Sequence, residues 1–153
     1  FGTVWRICIS YQYYGSIFQK IISWVLSETL EASHVVKCIE KAKQSRHIEN
    51  PLIFHCDRGC QYVSEAFHKA TEGMIHSYSK KAYPWDNACI ESFHALLKRE
   101  WINRFKIFNY THAYKLIFEY IETFYNTVRI HSHCGYLVSN EYEEQYLKIW
   151  NEL

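Results

Sequence analysis

Two carboxylates in this chain stand where a carboxylate does chemistry. Asp57 follows the apolar run Leu52-Ile53-Phe54 and the pair His55-Cys56, and Glu91 lies one turn into a helix that begins near Asp86, 34 positions further on. A carboxylate at a strand end and another on a facing helix supply the oxygen donors that a hard divalent cation such as Mg²⁺ takes while keeping several waters. Two such ions about 3.5 to 4 Å apart activate the attacking oxygen and stabilise the leaving one in phosphoryl transfer. Most Asp and Glu side chains simply face solvent, so spacing alone favours the plainer reading.

The elements that must position this pair can be read from periodicity. Asp86 has the chemistry of an N-cap, and Ile90, Phe93, Leu97 and Trp101 then repeat on one helical face. Glu91, His94 and Lys98 form the neighbouring stripe at the core's edge. Upstream, residues 1–14 read as a strand, Gly15-Ser16 as a break and Ile17 to Leu26 as a second, antiparallel strand. Ser27 or Thr29 caps a helix running to about Arg46, with Ala32, Val35, Val36 and Ile39 inward, and Pro51 ends the connection. Leu52 to Phe54 is a short strand ahead of an Arg58-Gly59 turn; Ser64 opens a helix to Gly73, and Met74 to Tyr78 is another strand.

Downstream, Thr111 caps a helix with Ala113, Leu116, Ile117, Tyr120, Ile121, Phe124 and Val128 on one stripe. A turn at Cys134-Gly135 and a helix from Glu141 to Ile149 follow. The pattern predicts an α/β fold: a mixed sheet flanked by helices, then a helical C-terminal part, over one domain spanning 1–153.

Composition narrows the function classes. With 48% hydrophobic and 22% charged residues the chain fits a globular domain. Tyr78 to Lys115 carries seven basic against three acidic side chains, net +4, whereas Glu141 to Leu153 is net −3. A basic band of this kind suits a polyanion such as DNA, against a plain solvated face. Six scattered cysteines do not make a disulfide scaffold, so a cytoplasmic setting is expected, and no apolar run reaches the ~20 residues that cross a bilayer. The start at Phe1 rather than Met points to a fragment.

Zinc sites built from His55, Cys56, Cys60 and His68, or from His131, His133 and Cys134 with Cys89 and His94, lack paired ligand spacing. A Cys89–His94 nucleophile pair fails because i and i+5 point to different sides of a helix. The aromatics, Phe118 and Tyr120 included, read as core rather than as a platform for bases.

Several motifs in order carry a resemblance. His55-Cys56-Asp57-Arg58-Gly59-Cys60-Gln61-Tyr62, Trp85-Asp86-Asn87-Ala88 leading to Glu91-Ser92-Phe93, Lys98-Arg99-Glu100-Trp101, Tyr120 to Asn126, and Arg129-Ile130-His131-Ser132 with Gly135-Tyr136 resemble the OrfB-type transposases of bacterial insertion sequences. These belong with the retroviral-type integrases, and the match runs from about Lys20 to Tyr146, with residues 1–16 degenerate. The resemblance implies an RNase H-like core in which Asp, Asp and Glu hold two Mg²⁺ (or Mn²⁺) ions, cut DNA and join it to new DNA. Asp57 matches the second Asp, Glu91 the Glu, and Lys98 a position that touches DNA phosphate. Arg99, Lys80, Lys81 and Arg104 are the further candidate DNA contacts. A homo-oligomer or an intact transposase is the implied protein partner, and the nucleoid the implied setting when on DNA.

The departure comes at the first Asp. The run Trp5 to Tyr11 places Cys8 there, and residues 1–27 contain no Asp or Glu. A soft, mostly protonated thiol is a poor Mg²⁺ ligand. The first strands of the core are therefore read as eroded. The chain is expected to be an inactive copy of the catalytic core, or else a non-catalytic remnant that binds DNA or pairs with an intact transposase.

Overall fold

A computed structural model describes residues 5–6, 12–13, 16–17, 19–29, 31–45, 52–57, 59–81 and 84–152, with some of these, among them residues 60, 61, 84, 87 and 150, given by backbone alone. Cys8, Pro51 and Arg58, on which sequence expectations rested, lie outside the described residues. The chain forms two compact units, one of residues 1–17 and 21–88, the other of residues 18–20 and 89–153.

In the first unit, β1 (Trp5–Arg6) pairs antiparallel with β4 (Val25–Leu26), and β2 (Gln12–Tyr13) with β3 (Ser16–Ile17). The reversal at residues 14–15 is thus where Gly15 placed it. The expected strand from Ile17 to Leu26 is interrupted, because residues 19–24 form no strand. Gln19 takes a left-handed φ of 53° and its carbonyl accepts from Ser139 Oγ at 3.0 Å, while Lys20 Nζ meets Glu143 Oε2 at 2.8 Å. Those bonds draw residues 18–20 into the second unit, which the apolar run alone does not reveal.

Helix α1 (Ala32–Ser45) buries Val35, Cys38 and Ile39. Neither expected cap holds its first turn by a side-chain bond: Ser27 Oγ instead donates to the Thr29 carbonyl and accepts from its N–H, at 2.9 and 3.1 Å. Strands β5 (Ile53–Cys56) and β6 (Ile75–Tyr78) run parallel, so the chain between them must cross over, and α2 (Glu65–Ala70) makes that crossing. Ser64 caps α2 as its sequence predicts, accepting from Phe67 N–H at 3.2 Å, and Gly73 adopts the φ of +80° that a glycine tolerates without strain. Val35, Ile39, Cys56 and Phe67 make the core of this unit, with Phe54, Tyr62, Ala70 and Met74 packed against it.

The second unit is built on α3 (Ala88–Glu100) and α4 (Tyr110–Phe118). Phe93 and Leu97 of α3 and Ala113, Leu116 and Ile117 of α4 are buried, in line with the two stripes. Two caps differ from expectation. Asp86 lies in a 3-10 turn (Pro84–Asn87) and its carboxylate accepts from Lys80 N–H at 2.8 Å, so it ties the preceding loop. Asn109, not Thr111, caps α4, its extended backbone letting Oδ1 accept from His112 N–H at 2.8 Å. We expect Asn109→Ala to cost about 1 kcal/mol in urea unfolding and Thr111→Ala nearly nothing; equal losses would return the cap to Thr111.

Beyond α4 the helix widens into a π-helical stretch, Glu119–Tyr125, with i→i+5 bonds from Asn126 N–H to the Ile121 carbonyl and from Arg129 N–H to the Phe124 carbonyl. The wider turns delay the stripe by about one residue. Tyr125 and Asn126 are buried, and Val128, expected inward, is 58% exposed. Strands β7 (Ile130–His131) and β8 (Leu137–Val138) form a small antiparallel hairpin around the Cys134-Gly135 turn, and α5 (Ser139–Asn151) closes the unit. No described helix is long and apolar enough to cross a membrane.

Candidate functional site

Asp57 is exposed directly after β5, and the end of that strand is held from the side. His55 Nδ1 and Nε2 bond Ser77 Oγ and Ser79 Oγ at 2.9 and 3.2 Å, which ties β5 to β6 across their shared register. Asp57 Oδ1 accepts from Gly59 N–H at 2.9 Å, so a short side-chain turn fixes the carboxylate's direction, while Oδ2 makes no described hydrogen bond. Cys56 next to it is buried, and burial together with the Asp57 charge pushes its thiol up to about 12. It is a neutral core side chain, not a thiolate ligand.

Glu91 is exposed in the first turn of α3 and makes no described hydrogen bond or ion pair. Lys98 and Arg99 are exposed in the last turn of the same helix, and Arg104 follows in the 3-10 turn Ile102–Arg104. Glu91 and Lys98, seven residues apart, therefore share one side of α3, two turns apart. His94, between them, is half-buried with Nε2 shielded and without a described partner; burial, then the Lys98 charge, hold it below the ordinary histidine range, so it is neutral.

Asp57, Lys80 and Lys81 thus lie in the first unit, and Glu91, Lys98, Arg99 and Arg104 in the second. Lys80 and Lys81 are exposed, with the Lys80 backbone anchored on Asp86. Among the described residues no three His, Cys, Asp or Glu side chains group as a metal site, and Cys134 is buried with its thiol pushed up by burial.

The arrangement that sequence reasoning did not extract is at the foot of α3. Glu100 accepts from Arg129 Nε and Nη2, both at 2.9 Å, and from Tyr120 Oη at 2.9 Å. The Arg129 bonds come first in holding its carboxyl below the usual range, burial opposing them. A signal was present: Tyr120 sits mid-stripe in a core helix, and a buried phenol needs a partner.

Comparison with known proteins now bears on these residues. The integrase core domain family matches residues 72–138, which include Glu91 and every basic side chain named above. The chain is 38% identical over 128 residues to the transposase for insertion sequence element IS904 of Lactococcus lactis subsp. lactis (strain IL1403), covering 82% of this chain and 51% of that protein. This chain belongs with the integrase-core transposases. It is also 33% identical over 129 residues to transposase InsF for insertion sequence IS3A of Escherichia coli (strain K12), covering 83% of the chain and 45% of that protein.

A third relative, 35% identical over 121 residues and covering 71% of the chain and 39% of itself, bears the name ATP-dependent protease, from Lactococcus lactis subsp. lactis. That name does not transfer to this integrase-core chain. None of its five glycines precedes a lysine, as a GxxxxGK[ST] phosphate loop requires. The chain spans about half the length of the curated relatives it matches, or less.

Proposed function

We propose that this chain is the DNA-handling catalytic-core part of an insertion-sequence transposase, with an RNase H-like fold. Asp57 and Glu91 are its carboxylates for Mg²⁺ or Mn²⁺. What carries the reading is that, in a chain of this family, both side chains stand exposed at element ends, with Asp57 Oδ2 and the whole Glu91 carboxylate outside any described bond. The donor chemistry fits a hard cation at these two positions and fails at the third, where Cys8 offers a thiol.

When bound, such an ion polarises a phosphoryl oxygen and makes a coordinated water a nucleophile near neutral pH. The chain's own residues supply oxygen donors at Asp57 and Glu91 and phosphate contacts at Lys98, Arg99, Arg104, Lys80 and Lys81. With one of three ligands replaced, strand transfer is not expected, since misplacement by ~1 Å alone costs on the order of 10²-fold. Cys8 and the acid-free first 27 residues favour a second reading, a silent remnant in the bacterial cytosol that binds DNA or pairs with an intact transposase.

A plasmid-nicking assay separates the two. The chain should show no Mg²⁺- or Mn²⁺-dependent cleavage above background; robust cleavage abolished by Asp57→Asn would overturn the inactive reading. DNA affinity should fall linearly with salt on a log–log plot, and Lys98→Gln with Arg99→Gln should reduce the slope by about 2. Binding that ignores salt would remove DNA as the ligand.

A further inference from the structure

The solvent side of α4 is aromatic where a surface helix is ordinarily polar. Tyr110, Tyr114 and Phe118 recur at i, i+4 and i+8 on one line, and they are 46%, 39% and 46% exposed. Successive members of such a line are separated by about 6 Å of helix rise, and the Tyr110 and Tyr114 ring centroids are 6.4 Å apart. At the helix's other edge Phe108, 72% exposed, lies parallel to His112, centroids 5.3 Å apart and planes 13° apart. That pair is already a π-stack with an outer face turned to water.

The charge around this face has one sign. From Trp101 to Phe118 there is no Asp or Glu, while Arg104, Lys106 and Lys115 are all exposed. Acidic residues resume only at Glu119, 3.9 Å from Lys115. Exposed aromatic rings among cations and without carboxylates match a ligand that is itself both flat-ringed and anionic. Bases stack on rings of any orientation-tolerant kind, and phosphates take the lysines and arginine. Duplex DNA offers the phosphates but keeps its base faces covered by neighbouring pairs.

We propose that the face of α4 from Phe108 to Phe118 is a stacking platform for unpaired nucleotides. The inference rests on the DNA reading above and deepens it, assigning to α4 a preference for single-stranded segments. Sequence reasoning counted these aromatics as core; the structure turns Tyr120 inward and leaves Phe118 outside.

Fluorescence anisotropy with three labelled probes of equal length tests it: oligothymidine, an abasic strand carrying the same phosphates, and a duplex. The chain should bind oligothymidine about 10-fold more tightly than the abasic strand. Phe108→Ala with Tyr114→Ala should abolish that difference while leaving abasic and duplex affinities within about twofold; circular dichroism checks that the variant folds. Lys106→Gln should weaken all three probes alike. Equal affinity of the unmodified chain for oligothymidine and abasic strands, with duplex still bound, overturns the platform and leaves the DNA reading standing. Failure to bind any probe overturns both. A double variant that keeps the base preference but changes the sedimentation coefficient would show that the rings serve a second copy of the chain instead.

Discussion

Phe67→Ala is expected to destabilise the first unit by about 3–5 kcal/mol, the largest loss from any single truncation there. Phe67 is fully buried, and its ring meets Phe54, Tyr62 and His76 at centroid distances of 5.5, 5.4 and 5.5 Å. Removing it opens a hole between α2 and the β5–β6 pair, walled by side chains that rigid strands keep from closing. The same hole loosens the strand whose end presents Asp57. Urea unfolding measures the loss, and hydrogen exchange at Ile53–Cys56 locates it. Phe67→Leu, which keeps most of the volume, should cost less than half as much. A loss below 1 kcal/mol for the alanine variant would mean that the unit is held elsewhere.

The second large effect is electrostatic. Arg129 and Glu100 are 21% and 24% exposed, so the pair is neither screened as at an open surface nor desolvated as in a deep core. Arg129→Ala leaves the carboxylate and the Tyr120 hydroxyl without their principal partner, and we expect a cost of about 2–3 kcal/mol. Arg129→Lys should recover only part, because an ammonium cannot make the forked pair of bonds.

The pH dependence follows from directions. Glu100 titrates lower in the folded chain than in the unfolded one. Its stabilisation is therefore complete above about pH 4.3 and is lost as pH falls through the folded value. His131 is also held low, by burial first, against the Tyr125 carbonyl that its Nε2 meets at 3.4 Å and with Arg129 adding to the depression; His94 is held low by burial and Lys98. Both histidines stay neutral when folded, so stability declines as pH falls below about 6.5, where the unfolded chain takes up protons. Thermal melts should show two steps on acidification. Glu100→Gln should erase the lower step and spare the upper one; a variant that kept the lower step would assign it to another carboxylate.

Much of this was open to reading from the residues. The strand before Asp57, the Ser64 cap, Gly73, and the inward faces of α3 and α4 followed from period and punctuation, because each depends on neighbours within one or two turns. What escaped depends on distant partners. The run from Ile17 to Leu26 looks continuous until Ser139 and Glu143, more than a hundred residues away, claim Gln19 and Lys20. Asp86 has the chemistry of a cap and spends it on Lys80. Asn109 and Thr111 are both competent caps two positions apart, and the extended backbone at Asn109 decides between them. For the site, Asp57 and Glu91 came from family motifs more than from spacing. The Glu100–Arg129–Tyr120 cluster was missed because its members, though each was noted, come from two helices and a loop.

The π-helical stretch at Glu119–Tyr125 makes the chain's length there a structural variable in its own right. Because its turns hold about one residue more than α-turns, excising a single exposed residue such as Glu122 or Thr123 would let the segment relax to ordinary α geometry. Everything after it would then rotate by about a quarter turn. Val128 would swing toward the core and Arg129 away from Glu100, so a deletion at the surface would uncouple the foot of α3 without touching any residue of that cluster. Two homologous chains that differ by one residue here would share a sequence alignment and yet present different side chains to the same pocket.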